Sequence, residues 1–240
     1  SKECKGFTCF FEEKDLTAPL SRELTASMGI EHLEINVEIE EYTEHLKRVI
    51  ELLGSPIHSH SLASTHLMAE RVKEHGVNIL YGGEGADELS VGYNTYSNLY
   101  EQVEHSKLST IYSSCVKALP SNPTIVSNWN KELDKQMNTL MDKFLDLGFN
   151  KQESYIKSNV MIDFKYQLPM VGLIASDTVT ADLGVEGRTP FTRTEIVKHF
   201  LNTPLRRLFR HDQDNIKSKI PLQNLYKKHF GINPSSKIGF

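Results

Sequence analysis

Apolar and polar positions change rhythm several times along the chain, and each change predicts an element. Residues 7–11 (FTCFF) form a β-branched and aromatic run of strand length. A helix is predicted over 19–28 and closed by Gly29, and 32–37 (HLEINV) alternates as a second strand would. Helical spacing then runs over 40–53 until Gly54-Ser55-Pro56 ends it, and a further helix over 61–75 places Leu62, Met68, Ala69 and Val72 on one side, with Gly76 as its cap. Residues 77–81 (VNILY) are an apolar strand leading straight into Gly82-Gly83. Beyond Tyr96 the pattern is mostly helical, over 106–118, 129–147, 151–164, 192–201 and 222–230, and 120–123 (PSNP) reads as a connection or a loop between helices. Strands alternating with helices predict an α/β fold with a parallel sheet and flanking helices, followed by a helical C-terminal portion. The whole of 1–240 reads as one domain, with an α/β nucleotide-binding part over 1–95 and a mainly helical part over 96–240. In such sheets ligands gather beyond the carboxyl ends of the strands, which directs attention to the loop after Tyr81.

Charge narrows the partners. Lys and Arg number 27 against 31 Asp and Glu, a net charge of −4, which supplies no broad attraction for nucleic acid or an anionic membrane. Three cysteines, Cys4, Cys9 and Cys115, show no CxxC or Cys/His spacing of a zinc site. No run approaches the roughly 20 apolar residues that span a bilayer, and the first residues lack a signal peptide's apolar core, so a soluble, cytoplasmic protein is expected.

Gly82-Gly83-Glu84-Gly85-Ala86-Asp87-Glu88 packs three glycines and three carboxylates into seven residues directly after a strand. Glycine allows close backbone approach to a ligand, and carboxylates this dense repel one another unless a cation shares the site. Spacing alone allows two readings: an acidic turn whose Asp87 and Glu88 favour the start of the next helix, or a site for a metal-bound nucleotide. The run is neither a Walker loop nor a dinucleotide-binding fingerprint, since Glu88 stands where the third glycine would be.

The stretch 80–89 (LYGGEGADEL), followed by Gly92-Tyr93, resembles the "LSGEGADELFGGY" signature of the asparagine synthetase family. A second block is similar to that family's "YLP" and "LEVRVPF" motifs, namely Leu168-Pro169, then Asp177, then 185–191 (VEGRTPF). Shorter pieces come in matching order: 7–13 with Glu12-Glu13, 29–32 (GIEH), and 237–240 (KIGF). The resemblance implies the C-terminal synthetase domain of a glutamine-hydrolysing asparagine synthetase, with an adenine nucleotide alpha-hydrolase-like fold of the PP-loop ATPase type. It implies ATP and Mg²⁺ as cofactors, and a reaction in which a small-molecule carboxylate is adenylated and ammonia then displaces AMP to give an amide.

The resemblance also implies roles by position. Asp87 matches the magnesium-binding aspartate, and Glu84 the glutamate that positions the intermediate and accepts a proton from the incoming amine. Gly82 and Gly83 match a pair whose backbone borders the nucleotide, and Cys9 lies on the strand that lines the adenine pocket, though it reads equally as a buried small residue. Lys219 stands where a lysine meets the phosphates, or is one base of a solvated cluster with Lys217. Glu84 and Lys219 are thus the catalytic candidates. Glu186 and Arg188 are expected to brace the site through a bidentate pair, and His58-Ser59-His60-Ser61 to be loop residues, with Ser61 matching a position on the substrate side.

Several features depart from the family pattern. Its "SGGxDSS" pyrophosphate loop, expected shortly before Phe7, occurs nowhere in these 240 residues, so this chain alone is expected to be a poor catalyst and reads as a fragment cut at both ends, with a natural remnant as the alternative. Ammonia would come from a glutaminase domain or subunit outside this chain, and a homodimer is an allowed assembly. Thr178 replaces a basic residue after Asp177, Gln223 an arginine, and Ser90-Val91 a Phe-Gly pair, while 56–59 lacks the family's acids. These changes leave aspartate or another carboxylate as acyl substrate. Two other readings stay open: an amide-ring-forming (lactam) synthetase of the same superfamily, and a non-catalytic homologue that has lost ATP binding.

Overall fold

The structure is a computed structural model, and it describes residues 4–11, 17–57, 59–102, 123–212 and 215–231. The predicted helix over 106–118, Cys115, His58, Glu12-Glu13 and the terminal 237–240 lie outside the described residues.

In chain order the elements are β1 (Lys5–Phe10), α1 (Thr17–Met28), β2 (Glu31–Asn36), α2 (Ile39–Leu53), α3 (Ser61–Glu74) and β3 (Ile79–Tyr81). Next come a one-turn helix α4 (Ala86–Leu89), α5 (Asn94–Gln102), α6 (Pro123–Asp146) and α7 (Lys151–Ile162). Helix α7 runs directly into a π-helix (Asp163–Leu173), then α8 (Ile174–Ala181), β4 (Glu186–Arg188), a 3-10 turn (Pro190–Thr192) and α9 (Thr194–Asn202). The last elements are α10 (Leu205–Leu208), β5 (Arg210–Asp212), β6 (Asn215–Lys217) and α11 (Ile220–Phe230). The fold is mixed α/β, mostly helical, with parallel strand pairing.

Two compact units divide these elements. The first comprises Ser1–Gly82, Met170–Pro190 and Gln223–Phe240. Here β1 pairs with β2 in parallel, Phe7 opposite Leu33 and Cys9 opposite Ile35, with α1 as the crossover. β3 pairs with β4, also in parallel, Tyr81 opposite Arg188. Among the described residues these are two separate two-stranded ladders. The apolar sides of α2 and α3 supply the packing: Val49 and Leu62 meet Ala175 and Val179 of α8, and Leu67 lies against Ile35 and Val37. Helix α2 places Glu40 and Glu41 in its first turn, where the helix dipole favours negative charge.

The second unit comprises Gly83–Pro169 and Phe191–Leu222. Its core joins Leu89, Val91, Tyr96 and Leu99 to Leu133, Met137 and Met141 of α6, Tyr155, Ile156 and Val160 of α7, and Phe200 of α9. Asn150 caps α7 by accepting from the Glu153 N–H at 2.9 Å. Glu153 then reaches across the unit and accepts from the Leu205 N–H at 2.7 Å. Lys157, a buried residue of α7, donates to the carbonyls of Leu201 and Thr203, both at 2.7 Å, and lies over the Phe149 ring. Burial lowers its pKa to about 8.

The predicted helix over 151–164 ends as an α-helix at Ile162, and the chain continues as eleven residues of π-helix with Pro169 inside it. Proline has no N–H to close an α-helical turn, and the wider i→i+5 turn is one way for a helical run to pass it without stopping. The antiparallel pair β5–β6 has no counterpart among the elements predicted from the sequence; its three-residue strands are too short to show a period.

Candidate functional site

The acidic bend opens where β3 ends. Gly82 donates its N–H to the Arg188 carbonyl at 2.9 Å, continuing the β3–β4 ladder by one residue. The Gly83 carbonyl accepts from Ala86, and Gly85 takes a φ of 89°, the left-handed conformation that lets the bend turn into α4. A side chain at Gly85 would meet Leu168, Phe191 and Thr192 at 3.4–3.5 Å. The apolar residues that flank the second sequence block therefore pack against the bend.

Asp87 and Lys219 meet within the second unit, with Lys219 Nζ 2.8 Å from Asp87 Oδ1. Both side chains keep about a quarter of their surface exposed, at 25% and 27%, so this is an accessible ion pair and not a buried one. Two backbone features hold it. Lys219 adopts φ 54°, a left-handed conformation that non-glycine residues rarely take, and its N–H donates to the Ser90 carbonyl at 3.1 Å. Gly92 lies so close that a Cβ there would collide with Asp87 Oδ1 and Lys219 Cε, and would stand 3.0 Å from Asp87 Cα. Its N–H donates to the Asp87 carbonyl at 2.7 Å.

Glu84, three residues before Asp87, is partly buried, and its Oε2 is fully covered and accepts no hydrogen bond from the described residues. A covered carboxylate oxygen without a donor is costly in a folded protein, and such an atom invites a ligand's N–H or a cation. Glu88 turns the other way, into the core, at 3% exposure, and accepts from Tyr93 Oη at 3.0 Å. Burial pushes its carboxyl above the ordinary range, and the Tyr93 bond partly offsets this. Tyr96, wholly buried, donates to Asp163 Oδ2. Residue type alone counts Glu88 among the carboxylates of the bend and does not reveal this polar layer; its one visible signal is two tyrosines three residues apart.

The remaining candidates lie in the first unit. Cys9 on β1 is half-buried, and its thiol points at the Ser64 carbonyl 3.9 Å away. Burial pushes the thiol up to about 12, so it stays protonated and is not a nucleophile. Arg188 Nε donates to Glu186 Oε1 at 2.8 Å and Nη1 reaches Tyr81 Oη at 3.4 Å. The expected bidentate pair is thus replaced by one guanidinium shared between a carboxylate and a phenol. Asp177 is exposed in the first turn of α8. In the run 58–61, Ser59 and Ser61 share a hydroxyl hydrogen bond of 2.7 Å, and the His60 carbonyl accepts from Tyr42.

Residues 1–229 match the family described as Asparagine synthase. The chain belongs to that family. Among curated proteins, the asparagine synthetase [glutamine-hydrolyzing] 1 of Bacillus subtilis (strain 168) is 31% identical over 93 residues, an alignment covering 38% of this chain and 15% of that protein. No helix among the described residues is long and apolar enough to cross a membrane.

For an asparagine synthase family member, the residues of the bend fit a magnesium-bound nucleotide in kind. Asp87 offers a carboxylate with an exposed edge, Lys219 a cation beside it, Gly92 the space between them, and Glu84 an oxygen without a donor. Gly82 has committed its N–H to Arg188, so only its carbonyl remains to border a ligand.

Proposed function

We propose that this chain is the synthetase part of an ATP-dependent carbon–nitrogen ligase of the PP-loop ATPase type, which activates a small-molecule carboxylate and transfers ammonia to it. The observation that carries the reading is the Asp87–Lys219 pair, built over Gly92, together with the undonated Glu84 oxygen three residues earlier in the chain. Bound Mg·ATP would supply the activation: the metal would neutralise charge as the α–β bond breaks and pyrophosphate leaves, and adenylation of the carboxylate would make AMP the group that ammonia displaces.

This chain's residues would do the rest. Asp87 would hold the metal, and Lys219, released from Asp87 as the metal takes its place, would face the phosphates as a mobile point charge. Glu84 Oε2 would accept a hydrogen bond, and then a proton, from the incoming amine. Family membership and the match of the bend to the family's signature support each assignment.

The test is turnover of the full-length protein with Mg·ATP, ammonium and a panel of carboxylates beginning with aspartate, read as AMP and pyrophosphate release and as product mass. A gain of nitrogen with loss of water from the acid supports amide formation. Turnover that survives in Asp87→Asn or Glu84→Gln would overturn the roles assigned to those two carboxylates.

A further inference from the structure

The first unit holds a second cluster of ionisable groups, between α2 and α3. Glu41, His45 and Glu70 bring one ligand atom each to within 4.8 Å of one another. Glu41 and His45 are four residues apart on α2, hence on one face, and Glu70 comes from α3. His45 is 8% exposed.

Hydrogen bonds behind His45 determine which of its nitrogens faces this group. Arg48 grips Asp182 through both carboxylate oxygens, at 2.6 and 3.1 Å, so Asp182 is ionised and only accepts. His66 Nε2 lies 3.1 Å from Asp182 Oδ2 and donates to it, which in the neutral imidazole leaves Nδ1 as an acceptor. His66 Nδ1 in turn stands 2.6 Å from His45 Nδ1, so His45 donates there and keeps its Nε2 bare. That lone pair points at Glu70 Oε2 across 3.6 Å, beyond hydrogen-bond reach. A nine-tenths buried imidazole thus keeps an unshared pair beside two carboxylates; the Arg71 guanidinium pairs with both carboxylates but leaves the imidazole nitrogen without a donor.

We propose that Glu41, His45 and Glu70 bind a divalent transition-metal ion of the zinc class, with Asp182 and His66 fixing the His45 tautomer from behind. One imidazole and two carboxylates suit Zn²⁺ with water in its fourth position, whereas Mg²⁺ prefers oxygen ligands alone. The carboxylate–His–His chain is the outer support that orients a metal-binding imidazole. Arg71 donates to Glu41 Oε1 and, at 3.0 Å, to Glu70 Oε2, gathering the carboxylates while leaving each a second oxygen. Its charge also opposes a metal, so it restrains affinity. Glu70, 39% exposed, gives the ion a way in from solvent. The bound ion would tie α2 to α3 and is distinct from the magnesium assigned to Asp87.

The experiment is titration of the metal-stripped full chain with Zn²⁺ against a chromophoric chelator, with Co²⁺ absorption as a second readout. Expected is one Zn²⁺ per chain, lost in His45→Gln, weakened about 10- to 100-fold in His66→Gln, tightened in Arg71→Gln, and unchanged in Asp87→Asn. Co²⁺ should give the intense bands of a four- or five-coordinate nitrogen–oxygen site in the unaltered protein, which keeps the proposal testable if His45→Gln does not fold. Zn²⁺ binding no tighter than that of Mg²⁺, or equal in Glu70→Gln and the parent, would overturn it. Neither result bears on the Asp87 site, which the turnover assay tests separately.

Discussion

Lys219 Nζ reaches Asp87 Oδ1 at 2.8 Å because the backbone at Lys219 is turned into the left-handed region and pinned to the Ser90 carbonyl. Stability alone gives little reason for that geometry. An ion pair with a quarter of each side chain in water contributes at most about 1 kcal/mol, comparable to or less than the ~1–3 kcal/mol a strained backbone conformation costs. Asp87→Asn and Lys219→Met should therefore leave thermal unfolding within about 1 kcal/mol of the parent. Each should lower ATP-dependent turnover by ~100-fold or more. Melting curves read beside AMP release check both halves.

Gly92 and Gly83 should respond differently to the same change. Alanine at Gly92 meets the Asp87 backbone as well as both charged side chains, whereas alanine at Gly83 meets nothing within 4 Å among the described residues. Gly92→Ala is expected to cost about 1–3 kcal/mol, the range for overpacking a tight site. Gly83→Ala should fall within about 0.5 kcal/mol. Urea unfolding of the pair measures the contrast.

Glu88 predicts a pH dependence. Its folded carboxyl titrates above its ordinary value of 4.5 because burial disfavours the charge. A raised acid stabilises the fold fully below the unfolded value, and this contribution is lost as pH rises through the folded value. The stability of the parent relative to Glu88→Gln should therefore be greatest in acid and decline toward neutral pH. Tyr93→Phe removes a hydrogen bond that favours the carboxylate, so it should move the decline to higher pH. Denaturation at a series of pH values checks both.

Lys157 predicts a change at the alkaline end. Its pKa falls from 10.5 to about 8 on folding, so the unfolded chain binds the extra proton between those values. Stability from this group is complete above the unfolded value and is lost as pH falls through about 8. The parent should thus gain stability relative to Lys157→Met as pH rises from about 8 to 10.5. A flat difference across that window would contradict the burial of a charged amine there.

The sequence is most legible where a period or a run of several turns exists. The strands at 7–11 and 32–37 and the helices at 40–53 and 61–75 appear within a residue or two as β1, β2, α2 and α3. Helix α6 begins six residues before its predicted start at 129, with Pro123 at its first position, where a missing N–H costs nothing. The three-residue strands β4, β5 and β6 and the helix α8 do not emerge from 164–191 and 202–221, since short elements held by long-range partners leave no local rhythm. At the site, the residue types of the bend are readable, whereas the packing of Leu168 and Phe191 against Gly85 is not. The φ of Lys219, the inward turn of Glu88 and the imidazole chain behind His45 are not, because each depends on partners distant in sequence or on backbone angles that residue type does not reveal.

The π-helix from Asp163 to Leu173 acts as a gauge of length. Asp163 at its start is anchored to Tyr96, and Leu168 five residues later seats against Gly85. Removing one residue between them would let the coil tighten toward an α-helix, turning the downstream residues by roughly 100° and swinging Leu168 off the bend. A chain shortened by that single residue could keep its buried tyrosine and still misplace the loop that bears Glu84 and Asp87.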